Sequence, residues 1–299
     1  MTFEQLRIFL VVAEQQHMTR AAEHLHLTQS SVSAAIAALE ERHAVKLFNR
    51  VGRGIELTEA GRLFLPEARA VLERAADATR LLKDLSGAPA GHLLLHASQT
   101  VASYWLPSRL MRYRERYPQV ALSMSVGNTR AATDAVLAGQ ADLAVVEGRV
   151  DQPALSVTRV GEDRLVLVVG RRHRWTKGQG LSPADLLQTA WIHREQGSGT
   201  RAALEEELRR LGIAPAALDV ALELPSNEAV IAAVEAGTSA AVLSFRAVEA
   251  HLAQGRLRMP DFPMPTRPFF LLLHRERHVT RAMRAMIEIL GEAAEPEQR

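Results

Sequence analysis

"MTRAAEHLHLTQSSVSAAIAALE", residues Met18 to Glu40, decides how the N-terminal part of this chain is read. Two short helix-like segments follow one another there, separated by His26, Leu27 and Thr28. The first, Thr19 to Leu25, turns Ala21, Ala22 and Leu25 to one side. Thr28 is placed to cap the second, whose Val32, Ala35, Ile36 and Leu39 form a buried face at helical spacing. Ser30, Ser33, Ala34 and Ala37 are left pointing outward or sideways, a face unusually small and uncharged for a solvated helix. Such a face can enter a nucleic-acid groove, although a plain three-helix packing unit would carry the same pattern. Upstream, Phe3, Leu6, Phe9, Leu10 and Ala13 recur as one apolar stripe and supply a further helix.

"KLFNRVGRGIELTEAG", Lys46 to Gly61, tips the balance between those readings. It is an extended, glycine-punctuated segment carrying Lys46, Arg50 and Arg53, with Ile55 and Leu57 in alternation and Thr58 as the cap of the next helix. A β-hairpin with arginines at its tip, set beside a groove-sized helix, offers phosphate or minor-groove contacts while the helix offers base-edge contacts. From Thr58 to Leu85 a long helix follows, with Leu63, Ala70, Leu72, Ala76, Leu81 and Leu82 among its apolar positions. Pro66 is expected to bend or break it near Leu65, because proline donates no backbone hydrogen bond. "SGAPAG", Ser86 to Gly91, has the composition of a linker or hinge.

Beyond Gly91 the pattern changes to short apolar runs alternating with amphipathic segments. "HLLLHAS", "VALSMSV", "ADLAVVEG" and "RLVLVVG" read as strands, with helices over about Val101 to Tyr117 and Arg130 to Ala138. A parallel sheet is expected, with ligands gathering where strand ends meet helix beginnings. The chain is expected to cross between two lobes near Gly161 and again near Pro265, which makes a cleft. Three polar clusters fall at strand-to-helix junctions: Ser98, Gln99 and Thr100; Gly197, Ser198, Gly199, Thr200 and Arg201; and Ser226 with Asn227. Helix beginnings present free N–H groups and partial positive charge, so three that converge would hold a small anion or carboxylate. Taken singly, each cluster is also explained by ordinary capping. Arg201 can pair with an oxyanion if it turns inward, or with Glu205 one turn later. Asn128, Thr129 and Glu147, at strand ends, are weaker candidates for lining the cleft.

The 299 residues suggest about two domains, and 47% hydrophobic residues allow real cores. No cysteine is present, which excludes disulfides, thiolate nucleophiles and cysteine-held zinc. A formal charge of +2 means that attraction to a polyanion must come from local clustering. No stretch resembles a signal peptide or approaches the roughly 20 apolar residues of a membrane span, so a cytoplasmic protein without membrane contact is expected. No nucleophile elbow or P-loop is found, and "HRERH", His274 to His278, reads as an exposed loop. No enzyme activity, cofactor or metal is expected.

Through "FEQLRIFLVVAE", "MTRAAEHLHLTQSSVSAAIAALEE", "LFNRVGRGIELTEAG" and the layout behind them, the sequence resembles the LysR-type transcriptional regulators over essentially its full length. The resemblance implies an α/β protein overall. Residues 1–57 would be an all-α winged helix-turn-helix, residues 58–91 a linker and dimerisation helix with a hinge, and residues 92–299 a two-lobed effector domain resembling type-II periplasmic binding proteins. Lobe I would comprise about 92–161 and 266–299, and lobe II about 162–265. By position, Gln29, Ser30 and Ser33 resemble major-groove readers, Arg53 (with Arg50 beside it) the wing contact, and Thr28 and Ser31 phosphate contacts. Many family members place an arginine where this chain has Ala34, so a donor to guanine is missing there. The partners so implied are double-stranded operator DNA, a small-molecule or inorganic-anion effector, RNA polymerase for an activator, and further copies of the chain in a homodimer through the linker helix and a homotetramer. "REQGSGTR" with "LPSNEAVIAAVEAG" resembles regulators of sulfur assimilation and carbon fixation, which points to sulfite, sulfate or a similar oxyanion. A small phosphorylated or carboxylated metabolite is the alternative effector, and a solute-binding or transport module the competing class.

Overall fold

Thr2 opens α1 (Phe3–Gln15) with a reciprocal cap: its hydroxyl accepts from the Gln5 N–H at 3.2 Å while the Gln5 side chain accepts from the Thr2 N–H at 3.0 Å. The computed structural model describes residues 1–51, 54–84, 89, 91–148, 150–175 and 178–292. They fall into two units, Met1–Ser86 and Gly87–Arg299. In the first, α2 (Met18–Leu25) and α3 (Gln29–His43) follow α1, and His26 ends α2 in the left-handed conformation at φ 55°. Strands β1 (Phe48–Val51) and β2 (Gly54–Leu57) form an antiparallel wing, and α4 (Glu59–Asp84) completes the unit. Leu6, Phe9, Val12, Ala21, Ala22, Val32, Ile36, Leu39 and Ile55 share one core. The Phe9 ring lies 5.4 Å from that of Phe48 and 5.0 Å from that of Phe64, which ties wing and α4 to α1.

Two local expectations need correction. Phe3 is 60% exposed rather than part of the apolar stripe. Pro66 does not break α4, which runs through it as a single 26-residue helix. One hydrogen bond is forfeited there, and the packing of Phe64, Leu65, Ala68 and Leu72 on the core offsets it. Leu63 and Leu82, by contrast, are 70% and 71% exposed.

The second unit contains β3 (Gly91–Ser98), α5 (Gln99–Tyr104), α6 (Leu106–Arg116), β4 (Val120–Gly127), α7 (Thr129–Leu137), β5 (Leu143–Glu147) and β6 (Leu155–Gly170). These are followed by β7 (Ala190–Arg194), α8 (Gly199–Arg210), β8 (Asp219–Leu224), α9 (Asn227–Ala236), β9 (Ala240–Ser244) and α10 (Phe245–Ala253). The unit closes with β10 (Leu257–Arg258), β11 (Thr266–His274) and α11 (Arg281–Gly291). One helix was expected over Val101 to Tyr117; the structure has two, divided at Trp105. Pro107 has no N–H to continue the ladder, and it sits in the first turn of α6, where none is needed.

The strands are ordered β4-β3-β5-β11-β6-β9-β7-β8, with β10 on β6. The sheet is mixed rather than parallel. β3 runs parallel to β4 and β5, and β7 to β8 and β9, but β11 is antiparallel to β5 and β6, and β6 to β9. Long β6 pairs first with β11 and then with β9, so it carries the chain from one lobe into the other, and β11 brings it back. A returning strand must run the opposite way. At this crossing a Cβ on Gly161 would lie 3.0 Å from the Trp105 ring, which is buried edge-on against Phe269 at 5.4 Å. Glycine leaves the ring its place.

Candidate functional site

In the first unit, the outward face of α3 begins at Thr28, whose hydroxyl accepts from the Ser31 N–H at 3.1 Å and contacts the Ser30 and Ser31 hydroxyls at 2.9 and 2.7 Å. Gln29 donates to the Ser33 hydroxyl at 2.9 Å. Gln29, Ser30, Ser31 and Ala34 are exposed and Ser33 half-buried. Between α3 and the wing lies a groove of about 680 Å³, lined among others by Gln29, Ser33, Ala37, Asn49 and Arg50. Arg50 is exposed on β1; Arg53 lies outside the described residues.

The residue that sequence reasoning missed here is Glu40. It is buried on α3, and its carboxylate accepts from Lys46 Nζ at 2.6 Å and from the Leu47 and Phe48 N–H groups at 2.8 and 3.2 Å. Helix α3 and the wing base are thereby bonded together, and Lys46, read above as part of the basic wing, is engaged in holding the wing. Burial pushes the Glu40 carboxyl up, but Lys46 and the two N–H groups outweigh it and hold it below the usual carboxylate range. A carboxyl lowered by folding contributes stability that is present above its unfolded pKa and lost as pH falls through its folded one. Acid should therefore weaken this unit, and Glu40→Ala should cost roughly 1.5–3 kcal/mol at neutral pH, the range for hydrogen bonds to a charged group. Thermal unfolding against pH checks this: the slope below the carboxylate range should flatten in the variant.

In the second unit, six of the candidate effector residues, Ser98, Gln99, Thr100, Glu147, Thr200 and Asn227, join one network at the junction of the lobes. On β6 and β11, Asp163 and Arg267 stand opposite in register, and Arg267 donates to Asp163 Oδ2 through Nε at 2.9 Å and Nη2 at 2.7 Å. Ser244, ending β9, donates to the other Asp163 oxygen at 2.7 Å. Arg267 also donates to the Thr200 hydroxyl at 2.9 Å and the Thr100 hydroxyl at 3.5 Å, and its Nη1 lies 3.5 Å from Glu147 Oε1. The Ser98 hydroxyl donates to Glu147. Asn227 donates to Thr100 at 3.2 Å and accepts from Arg194 at 2.6 Å, while its backbone N–H donates to Gln99 at 2.8 Å. Thr100, Thr200, Asn227 and Ser98 are fully buried.

The remaining candidates frame this network. Asn128 caps α7 through the Ala131 N–H at 3.0 Å and reaches Gln196 O at 3.3 Å; Thr129 donates to Glu147 O at 2.7 Å. Ser198 and Ser226 cap α8 and α9, so ordinary capping accounts for both. Arg201 takes the second of its two readings: it bonds Glu205 at 2.9 Å and also Glu223, both acids of its own lobe. Gly199 has a clear steric role. A Cβ there would lie 2.4 Å from Glu147 O, so only glycine allows α8 this close to β5. Thr129, Glu147, Gly197, Ser198, Gly199 and Arg201 line a cavity of about 520 Å³, which Ser98, Gln99, Thr100, Ser226 and Asn227 do not reach. Arg194, Arg267 and Asp163 were not read from the sequence; Arg267 had only its place beside the crossing at Pro265 to mark it.

A winged helix-turn-helix unit followed by a two-lobed α/β unit with a polar junction defines a DNA-binding regulator with an effector domain. Residues 3–62 match the model for the bacterial regulatory helix-turn-helix protein, lysR family, and residues 86–295 that for the LysR substrate binding domain. The chain belongs to the LysR family of transcriptional regulators. It is 35% identical over 297 residues to the uncharacterised HTH-type transcriptional regulator YeiE of Escherichia coli (strain K12), covering 99% of both chains. It is 32% identical over 302 residues to a probable RuBisCO transcriptional regulator of Trichormus variabilis, covering 99% of this chain and 90% of the relative. Full-length CbnR in its target DNA complex shares the fold with a TM-score of 0.72 at 22% identity, over 98% of this chain and 100% of that one. So does the regulatory domain of CcmR from Synechocystis PCC6803, in complex with 2-PG, with a TM-score of 0.62 at 23% identity, over 69% and 99%. These families and relatives are transcriptional regulators, not enzymes. Among the described residues no helix is long and apolar enough to cross a membrane.

Proposed function

We propose that this LysR-type regulator reads operator DNA through Gln29, Ser30 and Ser33, grips it with Arg50 and Arg53 and, through Thr28 and Ser31, the phosphates, and responds to a small anion held between its lobes. The observation that carries the anionic reading is the buried Arg267 guanidinium among the hydroxyls of Thr100 and Thr200 at the lobe junction, with Arg194, itself paired with Glu195, joined to Thr100 through Asn227. Sulfite, sulfate and similar oxyanions fit this chemistry. The phosphorylated or carboxylated class shares it and has the additional support of the 2-PG complex of CcmR and of the RuBisCO regulators among the relatives. Exposed Leu63, Leu81 and Leu82 on α4 support a homodimer through that helix, from which a homotetramer follows in this family. Two recognition helices in one dimer multiply a weak half-site affinity, and contact with RNA polymerase follows where the regulator activates.

Fluorescence anisotropy with the DNA upstream of its own gene tests both halves. Nanomolar binding with a steep salt dependence is expected, and sulfite, sulfate, phosphate or 2-PG should shift the midpoint roughly 5–150-fold, the usual span of allosteric coupling. Affinity no better than for unrelated DNA would overturn the operator reading, and the absence of any shift or binding heat with all four anions the effector reading.

A further inference from the structure

We propose that the Glu147 carboxylate is a tethered competitor of the effector: it occupies the groups that would hold an anion, and an anionic effector binds by replacing it. This rests on the anionic reading given above. Of the buried network side chains, Glu147 is the one that also lines the open cavity. One of its oxygens takes the Ser98 hydroxyl, the other faces Arg267 at 3.5 Å, and its Cγ lies 2.7 Å from where a Cβ of Gly199 would be, in the first turn of the 12-residue α8. A hydroxyl, a guanidinium and an opening helix turn are what an oxyanion requires. A carboxylate of the protein already sits among them.

The charges explain why the effector must exchange with it rather than join it. The Arg267 guanidinium is flanked by two buried carboxylates, Asp163 and Glu147, so the three groups carry one negative charge in excess. Asp163 is the fixed partner, held by two bonds from Arg267 and one from Ser244, whereas Glu147 meets Arg267 at 3.5 Å only. An anion entering beside Glu147 would deepen the excess by its full charge where the dielectric is low; one that replaces it adds one negative charge fewer. Because Glu147 ends a strand of one lobe and packs on Gly199 of the other, its departure changes how the lobes meet. Binding and lobe geometry are thus linked through one side chain.

Calorimetry on the full chain with sulfate, phosphate and 2-PG, comparing wild type with Glu147→Gln, tests this. The amide keeps the shape and removes the charge, so at least tenfold tighter binding of one or more of these anions is expected, and Ser98→Ala added to Glu147→Gln should lose most of that gain. Equal or weaker binding by a folded Glu147→Gln protein would overturn the competitor while leaving the anionic effector standing. No binding of any of the three anions by either protein would overturn both. Should Glu147→Gln fail to fold, Glu147→Asp, which shortens the tether, is expected to bind at least threefold tighter than wild type, and unchanged affinity there would overturn the proposal.

Discussion

Replacing Ala34 by aspartate should reduce operator affinity at least about 100-fold while leaving the fold intact. Ala34 is exposed on the face of α3 that carries Gln29 and Ser30, the face assigned above to the major groove. A carboxylate there would face phosphate charge and lose water without a compensating donor. One unfavourable base-edge contact is worth about 1–3 kcal/mol, and repulsion by the phosphates adds to it, so about 3 kcal/mol, or 100-fold, is expected. Stability should change by no more than about 0.5 kcal/mol, because the position touches no core. Ala34→Arg should do the reverse, steepening the salt dependence and favouring operators with guanine opposite the helix. Anisotropy titrations at several salt concentrations measure both; wild-type affinity in Ala34→Asp would remove α3 from the groove.

Arg267→Met is expected to destabilise the effector unit by about 3–5 kcal/mol, the usual cost of removing one partner of a buried ion pair. The Arg267 side chain is 4% exposed, and its loss would leave the carboxylates of Asp163 and Glu147 buried together without a cation. Against the 5–15 kcal/mol that holds a typical domain, this is a large fraction. Urea unfolding should show the effector transition moving to lower denaturant while that of the N-terminal unit stays in place. Adding Asp163→Asn and Glu147→Gln should recover much of the loss, since the unpaired charges are then gone. A change below about 1 kcal/mol would show that the triad is dispensable.

The elements of the helix-turn-helix unit were more legible in the sequence than the polar network at the lobe junction. Thr28 announces α3 and the alternation of Ile55 and Leu57 announces the wing, because caps and periodicities are set by residues a few places apart. The polar clusters after β3 and before α8 and α9 could be seen as helix beginnings for the same reason. Which of them face one another could not. Arg201 sits within the Gly197–Arg201 cluster and turns to Glu205 and Glu223, while Arg267, outside every polar cluster, lies at the centre of the network. Pro66 shows the same limit: its local cost is visible in sequence, but the packing that keeps α4 unbroken is not.

By itself, the sequence determined the helical N-terminal segment, the small uncharged face of α3 and the change to an α/β pattern near Gly91, each of which depends on near neighbours along the chain. Only the tertiary structure decided that Glu40 clamps the wing, that the sheet is mixed, and that Asp163 meets Arg267 from 104 residues away. A buried charge must find its partner across space, and strand register, which spacing along the chain leaves open, is what brings the two together.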